Sequence, residues 1–174
     1  MDEGSRYGLE LNWNKTVAIN ILNDGALTQP DGEPVKIVSQ AVYLGGMLSS
    51  STSAAPEVSR RLGEVRGSFK SLNRCWSHAN ISRQRKCQLY RACVVSKLMY
   101  GLESLWLLQR DLHRLDAFHA KCLRQICHIP PSFISRVSNA TVLQAARETP
   151  LTSLFRKQQI SFYIELYVCR KTTI

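Results

Sequence analysis

Val58, Leu62, Val65, Phe69, Leu72 and Trp76 recur at alternating steps of four and three residues. A strand would scatter them over both faces. A helix of 3.6 residues per turn gathers them into one apolar stripe about five turns long. A helix with such a stripe needs a partner to cover it, so the spacing predicts a packed helical domain. Pro56 suits the first turn, and the serine-threonine stretch from Ser49 to Ser53 marks where the period changes. Ser82 is the expected N-cap of a second helix, with Leu89, Cys93, Val94, Leu98, Leu102 and Leu105 on its apolar side and Gly101 as a candidate kink. A third helix from Asp111 carries Leu112, Leu115, Phe118, Cys122 and Ile126, with Pro130-Pro131 as its expected stop. Shorter patterns follow around 140–147 and 151–169. The last reaches Ile174 without a cap or tail, as a truncated chain would.

The first fifty residues have a different rhythm. Val17, Ile19 and Ile21 alternate with smaller or polar residues, and a second extended run, VKIVSQAVYLGGML, begins at Val35. Asn-Asp-Gly and Pro-Asp-Gly lie between them, so a hairpin with a long polar loop is expected. The predicted class is α+β and mainly α: a small β-hairpin with a flanking helix, a three-helix bundle and a helical extension. The expected divisions are 1–50, 51–130 and 131–174.

Composition narrows the function. Hydrophobic residues make up 44% of the 174 residues, enough for a core. No apolar run approaches the ~20 residues needed to span a bilayer. The polar, acidic start MDEGSRYGLE is neither a secretory signal nor a transit peptide. A nuclear or cytoplasmic, non-secreted protein without membrane association is therefore expected. The six cysteines form no C-x-x-C pair and lie in helical patterns, which favours buried free thiols over disulfides. Cys122, Cys127 and His128 do not converge as a tetrahedral zinc site requires, so no metal is expected. Trp13, Trp76 and Trp106 are expected as core anchors. The net charge of +10 is uneven: residues 1–50 carry −3, whereas 51–100 set ten basic side chains against Glu57 and Glu64. A basic middle in a chain of this kind points to a polyanion, most often nucleic acid.

Two strings sharpen that expectation. GLELNWNKT, Gly8 to Thr16, precedes a strand, and YLGGML, Tyr43 to Leu48, ends the second extended run. In this order they resemble motifs D and E of non-LTR (LINE-type) retrotransposon reverse transcriptases. Downstream, Arg60-Arg61-Leu62, Phe69-Lys70-Ser71-Leu72, Leu98-Met99-Tyr100-Gly101-Leu102-Glu103 and Leu115-Asp116-Ala117-Phe118 are similar to that family's thumb. The resemblance covers nearly the whole chain. It implies the end of the palm over 1–50, a helical thumb over 51–130 and a linker over 131–174. It further implies that Lys15 descends from the motif D lysine, and that Tyr43, Leu44, Gly45 and Gly46 descend from the primer grip. An ammonium near a departing pyrophosphate offsets developing charge, and paired glycines let a backbone approach a primer end. An ordinary solvated lysine and a hairpin glycine pair are the plain alternatives.

The departures are equally plain. The family's polymerase centre needs an aromatic-Ala-Asp-Asp string that holds Mg2+, and no two aspartates are adjacent in this sequence. An RNA-directed DNA polymerase fragment of this kind should be inactive alone, with no cofactor of its own. What remains is a thumb that would bind an RNA/DNA template-primer duplex without sequence preference. On the first helix, Arg66, Lys70 and Arg74 lie to one side of the stripe, with Gly63 and Gly67 among them. That pair would smooth a track for a sugar-phosphate backbone, accommodate a neighbouring helix, or have no role. Arg83, Arg85, Lys86 and Arg91 add charge on the second helix, as phosphate contacts or as a solvated face. The alternative from another class is a non-enzymatic basic helical module that binds protein.

Overall fold

The structure, a computed structural model, describes residues 3–21, 25–43, 45–51, 53–77 and 80–172. The protein is mainly helical α+β, with short strands followed by helices. It divides into two compact units, residues 1–57 and 58–174.

In the first unit, a 3-10 turn at Glu3–Tyr7 leads to a tight reversal over NWNKT. Asn12 organises it: its side-chain oxygen accepts the Lys15 N–H at 3.2 Å, and its carbonyl accepts the Thr16 hydroxyl at 2.9 Å. The chain leaves this reversal into β1 (Val17–Ala18), which runs parallel to β2 (Lys36–Ile37). That pairing corrects the expected hairpin between the two extended runs. The polar insert makes a reversal of its own, closed by the antiparallel bridge Thr28–Pro34 and turned at Gly32, φ +91°. The chain therefore returns to β1 in the same direction. The hairpin lies wholly within the second run: β3 (Gln40–Tyr43) pairs antiparallel with β4 (Gly46–Ser49). Tyr43 faces Gly46 across the turn, and Gly45 takes φ +81°, where a side chain would be strained. The expected turn at Asn23-Asp24 lies outside the described residues.

This unit has little interior. Among its described residues Val35 is the one fully buried hydrophobic, while Tyr7, Leu9, Leu11, Val42, Tyr43 and Leu48 are all exposed. Two-stranded pairs of this size are marginal without further layers.

The second unit begins within α1 (Ala55–Ser77), whose first turn belongs to the first unit; there Glu57 accepts the Met47 N–H at 3.1 Å. Val58, Leu62, Val65, Phe69 and Trp76 are buried, and Leu72 is half-buried at the stripe's edge. Burying a side chain of this size stabilises by ~2 kcal/mol, so Leu62→Ala would cost about 3 kcal/mol. Next come α2 (Arg83–Tyr90), a π turn (Arg91–Val95) and α3 (Ser96–Met99). Ser82 caps α2 by accepting the Arg85 N–H at 3.3 Å. The π turn changes the buried face. Tyr90, Val94 and Leu98 are buried at steps of four, whereas Cys93 is exposed and Leu89 half-buried. Steps of four drift about 40° each in a regular helix, and the wider turn removes part of that drift. Gly101 does not kink this helix. It ends it, at φ +66°, before a 3-10 turn at Leu102–Ser104. In the extended stretch beyond, Leu107 turns inward and Trp106 outward, so Trp106 is 77% exposed and is no core anchor.

The remaining helices are α4 (Gln109–Ile126), α5 (Ser132–Ser135), α6 (Asn139–Ala146) and α7 (Leu151–Thr172). The whole predicted face of α4 is buried. It ends before the prolines, at His128 in the left-handed region (φ 55°), with Ile129 N–H closing on the Arg124 carbonyl at 2.9 Å. Asp116 of α4 accepts the Thr152 N–H at 3.0 Å, satisfying an otherwise orphaned donor in the first turn of α7. Aromatic side chains join the elements: Phe69 meets Trp76 and Tyr90 edge-on, and Tyr90 stacks on His119 at 5.6 Å. Only Cys87 and Cys122 are fully buried; Cys127 is partly so, and Cys75, Cys93 and Cys169 are exposed, against the expectation of buried thiols throughout. All six are free.

Candidate nucleic-acid interface

α1 and α4 each present a face spaced i, i+3, i+4, i+7. On α1 it is Arg66, Phe69, Lys70 and Asn73; on α4 it is Phe118, Lys121, Cys122 and Gln125. Together they line a cavity of about 350 Å³. Its floor is apolar, since Phe69, Phe118 and Cys122 are buried, and its rim is cationic, since Arg66, Lys70 and Lys121 are exposed. Asn73 and Gln125 also line a neighbouring cavity of about 490 Å³, together with Trp76, Lys86 and His128. Sharing these two amides, the two cavities form one groove, lined by five lysine or arginine side chains: Arg66, Lys70, Lys86, Lys121 and the buried Arg124.

Two buried arginines hold the elements of this unit together, and one of them, Arg124, also lines the groove. Arg124 donates to the carbonyls of Pro130 (2.9 Å) and Val137 (2.7 Å) and to the Asn139 side chain (2.9 Å). It thereby holds the 128–139 segment against α4. Arg61 donates to the carbonyls of Leu98 and Tyr100, tying α1 to the end of α3. Part of the +10 charge is thus interior and structural.

The sequence-derived residues separate into groups. Arg66, Lys70 and Lys86 come together in the groove. Arg74 is exposed on α1 but does not line it. Gly63 and Gly67 are exposed, and a Cβ on either would meet nothing within 4 Å. Among the described residues, no helix packs within 4 Å of a Cβ at either position. Arg83 and Arg91 face a different cleft, on the side of α2 toward α6. Arg85 lines neither and holds the Gln88 side-chain oxygen at 3.2 Å. In the other unit, Lys15 is exposed at the turn entering β1, and Tyr43, Gly45 and Gly46 form the tip of the β3–β4 hairpin. Leu44 lies outside the described residues.

Lys121 escaped the sequence reading, as did the paired amides. Its signal was available: it sits one step from Cys122 on the flank of an apolar stripe, as Lys70 sits beside Phe69. Among the described residues, no group of three His, Cys, Asp or Glu side chains could hold a metal ion, and no helix is long and apolar enough to cross a membrane. No family model, curated protein or solved structure matches the chain.

Proposed function

We propose that this chain is the end of the palm and the thumb of a non-LTR retrotransposon reverse transcriptase, serving as a non-specific clamp on a template-primer duplex. The observation that carries the binding part is the groove: Arg66, Lys70, Lys86 and Lys121 from three helices line it together with the buried Arg124, and no carboxylate among the described residues does. Cations arranged this way meet phosphates and hold a duplex without reading its sequence. The open flank at Gly63 and Gly67 supports close approach of a backbone. The family part rests on the ordered motif resemblance. The exposed apolar side chains of the first unit support it too, because a palm remnant would complete a larger sheet. No nucleotide incorporation is expected from this chain, which has no aspartate pair for metal-assisted phosphoryl transfer.

The test is a salt titration with a labelled RNA-DNA duplex. Binding should have a Kd of roughly 10⁻⁴ to 10⁻⁶ M near physiological salt. Replacing Arg66, Lys70 and Lys121 together with Gln should lower the log-log salt slope by about 2–3, at about 0.9 per phosphate contact. An unchanged slope would make the rim a solvated face and remove the proposal.

The second reading, a protein-binding module, is favoured by one feature. Ile160, Tyr163, Ile164, Leu166, Tyr167 and Val168 of α7 are all exposed.

A further inference from the structure

The cleft on the other side of α2 has a chemistry of its own. Arg83, Gln84, Cys87 and Gln88 of α2, with Arg91 at the start of the π turn, face Arg147, which follows α6, around a space of about 300 Å³. Ala145 and Ala146 complete the wall, and their small side chains keep it open. Three guanidiniums thus surround one cleft. One carboxylate is close, Glu148, and it is engaged by Arg91 at 2.7 Å. Arg83 and Arg147 have no carboxylate partner among the described residues. Because Arg85 holds the Gln88 side-chain oxygen, the Gln88 amide NH2 is left to serve as a neutral donor beside them.

Arg147 occupies a position where arginine is a poor choice for the fold. Its N–H closes on the Gln144 carbonyl at 3.1 Å and the Glu148 N–H on the Leu143 carbonyl at 2.9 Å, the paired bonds of a helix end that glycine usually makes. Its φ of +56° lies in the left-handed region, where a Cβ is strained. Attraction to the negative end of α6 offsets some of that strain, but it does not require the side chain to line a cleft beside two more arginines.

We infer that this cleft binds a phosphate group. Guanidinium forks match its oxygens in pairs, and a dianion balances the two arginines that lack a carboxylate. A single carboxylate ligand would leave one positive charge uncompensated. The ligand is free inorganic phosphate or a terminal phosphate on an RNA strand. The inference does not depend on the groove between α1 and α4.

The experiment uses the full chain and compares thermal unfolding in sodium phosphate and in sodium chloride at equal ionic strength, with calorimetric titration of inorganic phosphate. The wild type should be stabilised by phosphate over chloride. Arg83→Gln and Arg147→Gly should each weaken phosphate binding about tenfold, the loss expected for one charge-assisted contact. Arg147→Gly should fold at least as well as the wild type, because glycine suits that helix end, so lost binding cannot be blamed on unfolding. The triple groove variant should keep the phosphate effect. Tighter binding of a 5′-phosphorylated than a 5′-hydroxyl oligoribonucleotide, lost in Arg147→Gly, supports the site and assigns it to RNA ends. Equal oligomer binding with phosphate binding intact supports it with free phosphate as ligand. No difference between phosphate and chloride in the wild type, or full phosphate binding in both single variants, overturns it.

Discussion

The Tyr90 hydroxyl and His119 Nδ1 lie 2.9 Å apart inside the helical unit, with the two rings stacked, and neither residue reaches solvent. Burial pushes the imidazole down to about 4, with the Thr149 backbone and the Asp116 carboxylate pulling the other way. Burial likewise pushes the Tyr90 phenol up. Both groups are thus held neutral at the centre of the core.

A pH dependence follows from the histidine. Below its ordinary value of 6.5 the unfolded chain takes up a proton that the folded chain refuses until about pH 4. The contribution of this group is therefore fully present above pH 6.5 and is lost as pH falls toward 4. A displacement of that size corresponds to about 3 kcal/mol. Urea midpoints measured from pH 7.5 to 4 should fall steeply for the wild type and less so for His119→Phe. Parallel curves would assign the acid sensitivity to other groups.

Arg124 should tolerate no truncation. Arg124→Ala leaves the Val137 carbonyl and the Asn139 amide oxygen without their donor and the Pro130 carbonyl with the Ser135 hydroxyl alone, and should cost about 3 kcal/mol by urea unfolding. Arg85→Ala, on the exposed side of α2, should cost less than about 0.5 kcal/mol. Equal effects would mean that Arg124 is not the link between α4 and the segment beyond it.

Two glycines should respond in opposite directions. Gly67 lies mid-helix with open space around it, so Gly67→Ala should stabilise by about 1 kcal/mol. Gly101 ends α3 at φ +66°, so Gly101→Ala should destabilise by about 1–2 kcal/mol. Gly67→Leu should also favour the helix, yet weaken duplex binding if a backbone lies along that flank. Unchanged affinity in Gly67→Leu would leave charge alone, without shape, behind the binding.

The helices were legible because their signals are local. The four-three spacing from Val58 to Trp76 defines α1 without reference to any other residue, and Ser82 announces α2. Strand pairing was not legible in the same way. Alternation at Val17–Ile21 says that a strand is half-buried, but its partner and direction depend on how the insert closes at Thr28–Pro34. The second helix failed at one point, where a π turn moved Cys93 outward and Tyr90 inward. Half of the groove was visible, since Arg66 and Lys70 flank a stripe on a single helix. The rest required knowing that α4 faces α1, a tertiary fact that brings Lys121 opposite Lys70. Arg147 was hidden for a further reason: a left-handed arginine at a helix end leaves no periodic trace.

The π turn at Arg91–Val95 also sets how the charges of α2 are shared out. Lys86 looks into the groove toward α4, while Arg83 and Arg91 look into the cleft toward α6. Deleting one residue from that turn would rotate α2 against α3 by about 100° and carry Lys86 off the groove. Insertions and deletions here would act as a commutator, reassigning cations between two surfaces without changing a single charge.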